Sequence, residues 1–510
     1  MRGTICKMVA VVWLLPVPLA LSADVSIEVD AGRVLHTMRG GMGASWHAIE
    51  QPIPYKPGQS EGGSAWGANP PAQDEAAWRE LCRHADWLGM DWCRVEVEQR
   101  MYEPERGRFD FDNPEMRILY RILDWCQRRQ VDVFFQQMWG NVAWNTFPQW
   151  RDDPVGRVHS GPLSMDDFAE GLAALIEHLV KRKGYTCIRW LSITNEPGHP
   201  WSWWTRPPKE AMPLKPGLAA VRRALDKRGL NVPLSAPDWT DLPALEPDKI
   251  DFDELIGAYD VHSYWANFDG REGGYPLSVA EKRLSDWTRW AHARGKPLFL
   301  SELGTMAFGW QNDHPGPGSY QSGLKDAELV VRALSVGVDG LNRWSFVNRG
   351  DLDGQWQLVD TWDRGGKRLL ERFSPHPNTY YLYGLLSRFT AKHSAVLGCR
   401  LEGGRLENRP RVFAAALRSP GGNLTLLVVN DADSPWQADV ALRGLSAGRT
   451  LCRYRVTHAD RDRSDVVVSA ERHFDVPSGN ASFQDTIPEL SLSVYTTYNR
   501  PHGEAGVVAE

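Results

Sequence analysis

Little in this chain points to metal, nucleic acid or a dinucleotide. Cysteine is scarce, 7 among 510 residues, with no CxxC pair and no Cys/His cluster at ligand spacing. That argues against a zinc site, whose thiolates and imidazoles must converge on one ion. No GxGxxG turn follows the first strand-like run, so the fingerprint of a dinucleotide fold is missing. Positive charge is not in excess: 58 Lys and Arg stand against 64 Asp and Glu, a net charge of −6. Setting aside Arg2 and Lys7 makes it two units more negative. Phosphate backbones are held by clustered cations, and here the arginines are scattered among acidic residues, so no nucleic-acid partner is expected. No stretch beyond the first 23 residues approaches the roughly 18 apolar residues of a membrane span, so no membrane association of the mature chain is expected. Repeats and low-complexity tracts are absent, and nothing in the sequence sets an oligomeric state.

What is present begins with an export signal. Arg2 and Lys7 precede an apolar run from Met8 to Leu21, and Ala20, Ser22 and Ala23 offer small residues for cleavage. The pattern predicts a signal peptide over 1–23 and a secreted or periplasmic protein. Six cysteines follow: Cys82, Cys93, Cys126, Cys187, Cys399 and Cys452. Their even number permits disulfides without selecting a pairing. Cys93 and Cys187 lie in apolar runs that suit small buried thiols.

From about residue 40, short apolar runs alternate with longer amphipathic ones, as in parallel strands crossed by helices. Strands are expected at Gly40–Ser45, Asp91–Glu96, Val131–Gln136, Cys187–Thr194, Val232–Ala236, Ala258–His262, Pro297–Ser301 and Gly340–Phe346. Helical spacing marks Asp74–Leu88, Glu115–Arg129, Met165–Lys183, Pro216–Arg228, Leu277–Arg294, Ser322–Val336 and His376–Phe389, with the faintest signal over Lys249–Ile256. Eight such pairs predict an α/β fold, a closed (β/α)₈ TIM barrel over 39–390. Beyond Phe389 the runs are short, alternating and broken by Gly, Asn and Pro, which predicts an antiparallel β-sandwich over 391–498. Residues 24–38 are expected to add a strand to that sandwich, and 499–510 to form a flexible tail.

Barrels of this kind carry their chemistry at the C-terminal ends of the strands. The second strand ends with Arg94 and Glu96, the third runs into Trp139, Gly140 and Asn141, and the fourth ends Asn195-Glu196-Pro197. The sixth ends His262-Ser263-Tyr264, the seventh Ser301-Glu302, and the eighth at Trp344. Two carboxyl groups about three strand–helix units apart are what acid–base cleavage of a glycosidic bond needs, one protonated to donate and one to attack or activate water. On this reading Glu196 is the acid/base and Glu302 the nucleophile. Tyr264 and Arg94 would hold Glu302 ionised, by hydrogen bond and by charge. Asn195 would bond a sugar 2-hydroxyl. Tryptophan is abundant, 23 residues. Several cluster in loops: Trp139, Trp144 and Trp150; Trp201, Trp203 and Trp204; Trp356 and Trp362. Indole stacks on the apolar face of a sugar ring, which makes Trp139, Trp201, Trp344 and Trp356 candidate carbohydrate contacts.

These residues carry a resemblance. Asn195-Glu196-Pro197 after one strand and Ser301-Glu302 after another, with Arg94, His262, Tyr264 and Trp344, resemble the retaining glycoside hydrolases of clan A over the whole barrel. The flanking strand with a C-terminal sandwich is similar to families 30 and 39. The Arg94, His262-Ser263-Tyr264 and Trp344 set is more similar to family 5, whose histidine near the third strand is replaced here by Trp139-Gly140-Asn141. The resemblance implies a double-displacement hydrolase of β-linked glycosides or polysaccharides, needing neither cofactor nor metal, with Arg94, Asn141, His262 and Tyr264 around the substrate. It leaves open a transglycosidase on the same machinery, a non-catalytic carbohydrate-binding barrel, and endo against exo action. A neutral glycan is favoured by the acidic chain, with Arg94, Arg343 and Arg349 as the groups placed to meet a uronate. The Gly/Pro-rich loop from Trp46 to Pro71 is expected to cap the cleft. Asp351-Leu352-Asp353-Gly354 lacks the downstream ligands of a calcium loop and is expected to be a turn.

Overall fold

The computed structural model describes residues 24–49, 67–199, 203–264, 266–267, 275–305, 316–348, 355–363 and 368–498. The expected signal peptide, the expected tail, Trp201, Arg349 and the Asp351–Gly354 turn lie outside them, as does most of the loop after Trp46. Among the described residues no helix is long and apolar enough to cross a membrane.

The chain opens with β1 (Val25–Thr37) and then enters the barrel through β2 (Gly41–His47), β3 (Trp92–Glu98), β4 (Asp132–Trp139) and β5 (Ile188–Ser192). It completes the ring with β6 (Leu234–Trp239), β7 (Ala258–Ser263), β8 (Leu298–Leu303) and β9 (Gly340–Arg343). These eight parallel strands close on themselves, β9 pairing with β2. Almost every strand residue is buried, because helices cover the outside and side chains fill the inside. The helices between them include α1 (Glu75–Leu88), α2 (Pro114–Arg129), α3 (Met165–Glu177), α4 (Leu214–Lys227), α5 (Leu277–His292) and α6 (Tyr320–Val336). Their ends follow from local chemistry. Asp74, Asn113, Ser164 and Ser319 each accept a bond from a first-turn N–H. Gly89 and Gly337 end α1 and α6 with left-handed backbone.

One expected helix did not form. Pro247–Lys249 and Asp253–Leu255 are separate single 3₁₀ turns where Lys249–Ile256 was expected to be α-helical. Eight residues are too few to nucleate readily, and the Asp253 carboxylate is held by Tyr259 and Lys296. The loop expected from Trp46 also starts later, since Trp46 and His47 belong to β2. Asn69 ties the far side back, accepting from Trp46 Nε1 at 2.7 Å and donating to the His47 carbonyl at 2.7 Å.

Inside the barrel the layers differ in kind. Trp92, Phe134, Phe299 and Ala258 form an aromatic plug with Trp190 against it. Trp92 and Phe299 lie 5.0 Å apart, Trp190 and Phe299 4.7 Å. Two residues further along the same strands, the inward positions turn polar: Arg94, Gln136, Asp260 and Ser301, all fully buried. Strand alternation places a charged layer directly above a sealed floor. These buried polar groups are thereby confined to the strands' C-terminal end.

The β-domain expected on the C-terminal side is one sheet folded over on itself. Its strands are β10 (Ala395–Gly403), β11 (Val412–Arg418), β12 (Leu424–Asn430), β13 (Trp436–Leu445), β14 (Arg449–Val456), β15 (Arg472–Val476), β16 (Gly479–Ile487) and β17 (Ser491–Thr496). Their order is β15-β14-β17-β12-β11-β10-β1-β13-β16. The pairings are antiparallel except β1 beside β13. Phe474 and Phe483, from the two edge strands, meet at 4.3 Å and seal a core that includes Ile27, Leu426, Val440 and Tyr495. A buried Lys325 on α6 bonds Asp431 at 2.8 Å and joins barrel to sheet. The six cysteines described are all thiols, with Cys93, Cys126 and Cys187 in the core.

Candidate active site

Two glutamates stand on the charged rim. Glu302 belongs to β8, and Glu196 follows β5 in a left-handed conformation, φ +46°, that a side-chain-bearing residue rarely adopts. Asn141 and Asp238 share that region at +51° and +59°. Non-glycine residues held there mark a backbone fixed by its surroundings. One carboxylate oxygen of Glu196, one of Glu302 and a ring nitrogen of His262 all lie within 4.8 Å of one another. Glu196 and Glu302 are 5% and 3% exposed, buried yet open to the rim.

Glu302 sits among hydrogen-bond donors. Arg94 Nη1 donates to one of its oxygens and Tyr264 donates its hydroxyl to the other at 2.5 Å. Arg94 also bonds Glu96, and its Nη2 donates to Asn195 Oδ1 at 2.9 Å. Burial works against the Arg94 charge, but Glu302, Glu96 and Asp238 hold its pKa above the usual arginine value. Burial lifts the Tyr264 phenol well above its usual range and the negative Glu302 and Glu196 lift it further, so it stays a donor. Burial pushes the Glu302 carboxyl up to about 7 against the pull of Arg94 and His262, and Glu196 adds to the rise. Two carboxyl groups this close titrate as a pair. Of the two, Glu302 is the one that receives both Arg94 and Tyr264.

Glu196 faces His262, whose Nδ1 lies 2.8 Å from Glu196 Oε1 and 3.3 Å from Glu302 Oε2. His262 Nε2 lies 2.9 Å from Asp238 Oδ1. Burial draws the His262 pKa down, yet Glu302 and Asp238 together raise it well above the usual histidine value. Below them Asp260 is fully buried, and burial with the nearby Asp238 charge raises its pKa far enough to keep it neutral. On the other flank His47 pairs with Glu96, and its ring meets Trp344 edge to face at 5.0 Å.

Asp238, His47 and Asp260 are site residues that strand-end reading missed. His47 ends β2, and Asp238 is the last residue but one of β6, two strand ends from which no site residue was drawn. The fifth expected strand, Val232–Ala236, also stopped two residues short of Asp238. Asp260 was hidden inside a strand, where alternation alone would have pointed it inward.

The tryptophans divide. Trp139 and Trp344 are buried at the rim, 3% and 6% exposed. Trp356 is fully buried behind Tyr264, rings 5.1 Å apart edge to face, and so braces that tyrosine instead of facing a ligand. Trp203 and Trp204, grouped by sequence with the ligand-contacting loops, are packed against Phe168 in the core. Asn141 donates to Glu98 at 3.3 Å, beside the Arg100–Glu115 pair. Arg343 is not placed to meet a uronate, because it is fully buried and bonded to Asp326 at 2.9 Å.

Glu196, His262 and Glu302 are close enough to offer three atoms to a cation. The donor set does not suit one: Arg94 and Tyr264 occupy both oxygens of Glu302, and a guanidinium in contact with a ligand oxygen repels a metal ion.

No family model matches the chain, and no curated protein matches it either. Solved structures share its fold. A glycoside hydrolase family 30 subfamily 8 xylanase from Clostridium acetobutylicum matches with TM-score 0.58 at 13% identity, covering 92% of this chain and 99% of its own. An alpha-L-arabinofuranosidase from Thermotoga maritima gives 0.62 at 15% identity, over 92% and 99%. A conserved exported protein from Bacteroides fragilis gives 0.64 at 12% identity, over 92% and 100%. The shared feature is the barrel with its β-domain.

Proposed function

We propose that this chain is an exported glycoside hydrolase that cleaves β-linked glycosides or polysaccharides by double displacement. The observation that carries it is one oxygen of each glutamate lying within 4.8 Å of the other, with Arg94 and Tyr264 both donating to Glu302. Retaining enzymes hold their carboxyl groups about 5–5.5 Å apart, whereas inverting ones leave about 6.5–9.5 Å for a water. Glu302, ionised, attacks the anomeric carbon as the glycosidic C–O bond breaks, and Glu196 passes its proton to the departing oxygen. Glu196, now a base, takes a proton from water while that water's oxygen attacks the same carbon and frees Glu302. Asn195, fixed by Arg94 through its Oδ1, keeps its amide N–H groups for a sugar hydroxyl.

Fold neighbours named as a xylanase and an arabinofuranosidase support a glycosidase, and the apolar run in 1–23 supports export. The test is a screen of the purified mature protein on natural glycans and aryl glycosides beside Glu302→Gln. Products that vanish in the variant are expected, and their lengths separate endo from exo action. Near-native turnover by Glu302→Gln would overturn the assignment, and product-free sugar binding would favour a binding protein.

A further inference from the structure

Asp238 makes contacts that the two-glutamate mechanism does not use. It is the last residue but one of β6, is fully buried, and its two oxygens serve different partners. Oδ1 lies 2.9 Å from His262 Nε2. Oδ2 accepts the backbone N–H of Glu196 at 3.3 Å and the side-chain amide of Gln136 at 3.1 Å. Gln136 in turn donates to the carbonyl of Thr194, two residues before Glu196. One carboxylate thus fixes both the main chain that carries Glu196 and the far side of the histidine that faces it. Glu196 sits in the left-handed region, which a residue of its kind seldom adopts by intrinsic preference.

Resting on the glycosidase reading above, we propose that Asp238 is a positioning residue that joins Glu196 and His262 into one proton-holding unit. With His262 Nε2–H donating to Asp238, the Nδ1 lone pair faces Glu196 Oε1 at 2.8 Å, and a single proton lies between them. Placing that proton on the ring makes an imidazolium, which the Asp238 charge stabilises. The unit gives its proton from Glu196 to the departing oxygen in the first step and regains one from water in the second.

The other charges around His262 are consistent with this. Glu302 approaches from β8, Arg94 from β3, His199 from the loop after β5, Asp241 from the loop after β6, and Tyr264 follows the ring on its own strand. Asp241 is pushed up to about 7, by burial first and then by Glu196. Burial lowers His199 against the pull of Glu196, leaving it neutral. Neutral Asp260 beneath leaves Asp238 as the charge in contact with Nε2.

The test compares wild type, Asp238→Asn and His262→Gln on phenyl and 2,4-dinitrophenyl glycosides of one sugar, chosen from xylosides, glucosides and arabinofuranosides. Dinitrophenolate departs without a proton. Both variants should therefore lose about 100-fold in kcat/KM on the phenyl glycoside and little on the activated one. Equal losses on the two substrates overturn the proposal. In Asp238→Asn the alkaline limb of kcat/KM should move to lower pH by about one unit, since the unit holds its proton less tightly. An unmoved limb overturns it. A measurement independent of turnover uses ¹⁵N-histidine-labelled protein, with His262 assigned by its loss in His262→Gln. Its ring should stay doubly protonated, with the Nδ1 proton toward Glu196, to higher pH in wild type than in Asp238→Asn, and identical titrations overturn the proposal. Glu302→Gln runs alongside: if it turns over normally the glycosidase reading fails, while the His262 titration still decides the link to Asp238. If Asp238→Asn does not fold, His262→Gln and the wild-type titration decide.

Discussion

Tyr264 donates its hydroxyl to Glu302 Oε2 at 2.5 Å, and Trp356 closes on the edge of the same ring from behind. The phenol is held in place by packing and cannot easily turn away. That arrangement stabilises a carboxylate that burial alone would neutralise.

Tyr264→Phe keeps the packing and removes the donor. Losing a bond to the ionised form raises the Glu302 pKa, so the acidic limb of kcat/KM should move to higher pH. Turnover at neutral pH should drop about 10–100-fold. A pH–rate profile with its acidic limb unmoved would separate Tyr264 from Glu302 ionisation.

Glu196→Ala should cost about 100- to 10,000-fold on substrates with poor leaving groups. Azide, small enough for the vacated space and needing no base, should restore turnover of activated substrates and yield a glycosyl azide of retained configuration. Proton NMR of the product reads the stereochemistry directly. Inverted product from the wild-type enzyme would rule out double displacement.

Arg94→Leu leaves Glu96 and Glu302 buried without their shared cation. Breaking a buried pair in this way costs about 3–5 kcal/mol. Urea unfolding should detect a loss of that order, and a change under about 1 kcal/mol would show that water reaches these carboxylates.

Asp260→Asn should help stability, increasingly so at higher pH. Its folded pKa lies above the unfolded one, so its contribution is fully present below about pH 4. It is lost as pH rises toward the folded value, because the unfolded chain ionises there and the folded one does not. Asn does not titrate. The Tm advantage of the variant should therefore grow from pH 4 to pH 8. An advantage that does not vary with pH would mean that Asp260 does not hold a proton in the folded state.

Much of the barrel was legible in the sequence because its strands are short apolar runs ending in polar residues. Glu196, Glu302, Arg94, His262 and Tyr264 stand at such ends. The fifth helix misled because an eight-residue pattern is too short for periodicity to distinguish a helix from two turns. The tryptophans misled for another reason. Indole suits a core as well as a sugar, and Trp203, Trp204 and Trp356 fill cores while Trp139 and Trp344 border the rim.

The sequence by itself determined the alternation of strands and helices, the sheet-forming C-terminal segment and two glutamates at strand ends, since each depends on spacing within about ten residues. Tertiary structure alone decided which buried polar groups meet. Arg94 reaches Glu302 across 208 positions, and His262 reaches Glu196 across 66. Those contacts exist because the barrel closes β9 onto β2 and sets the register of every strand between. Register and closure are properties of the whole ring, so no local stretch could show that Asp238 lies against both His262 and the backbone of Glu196.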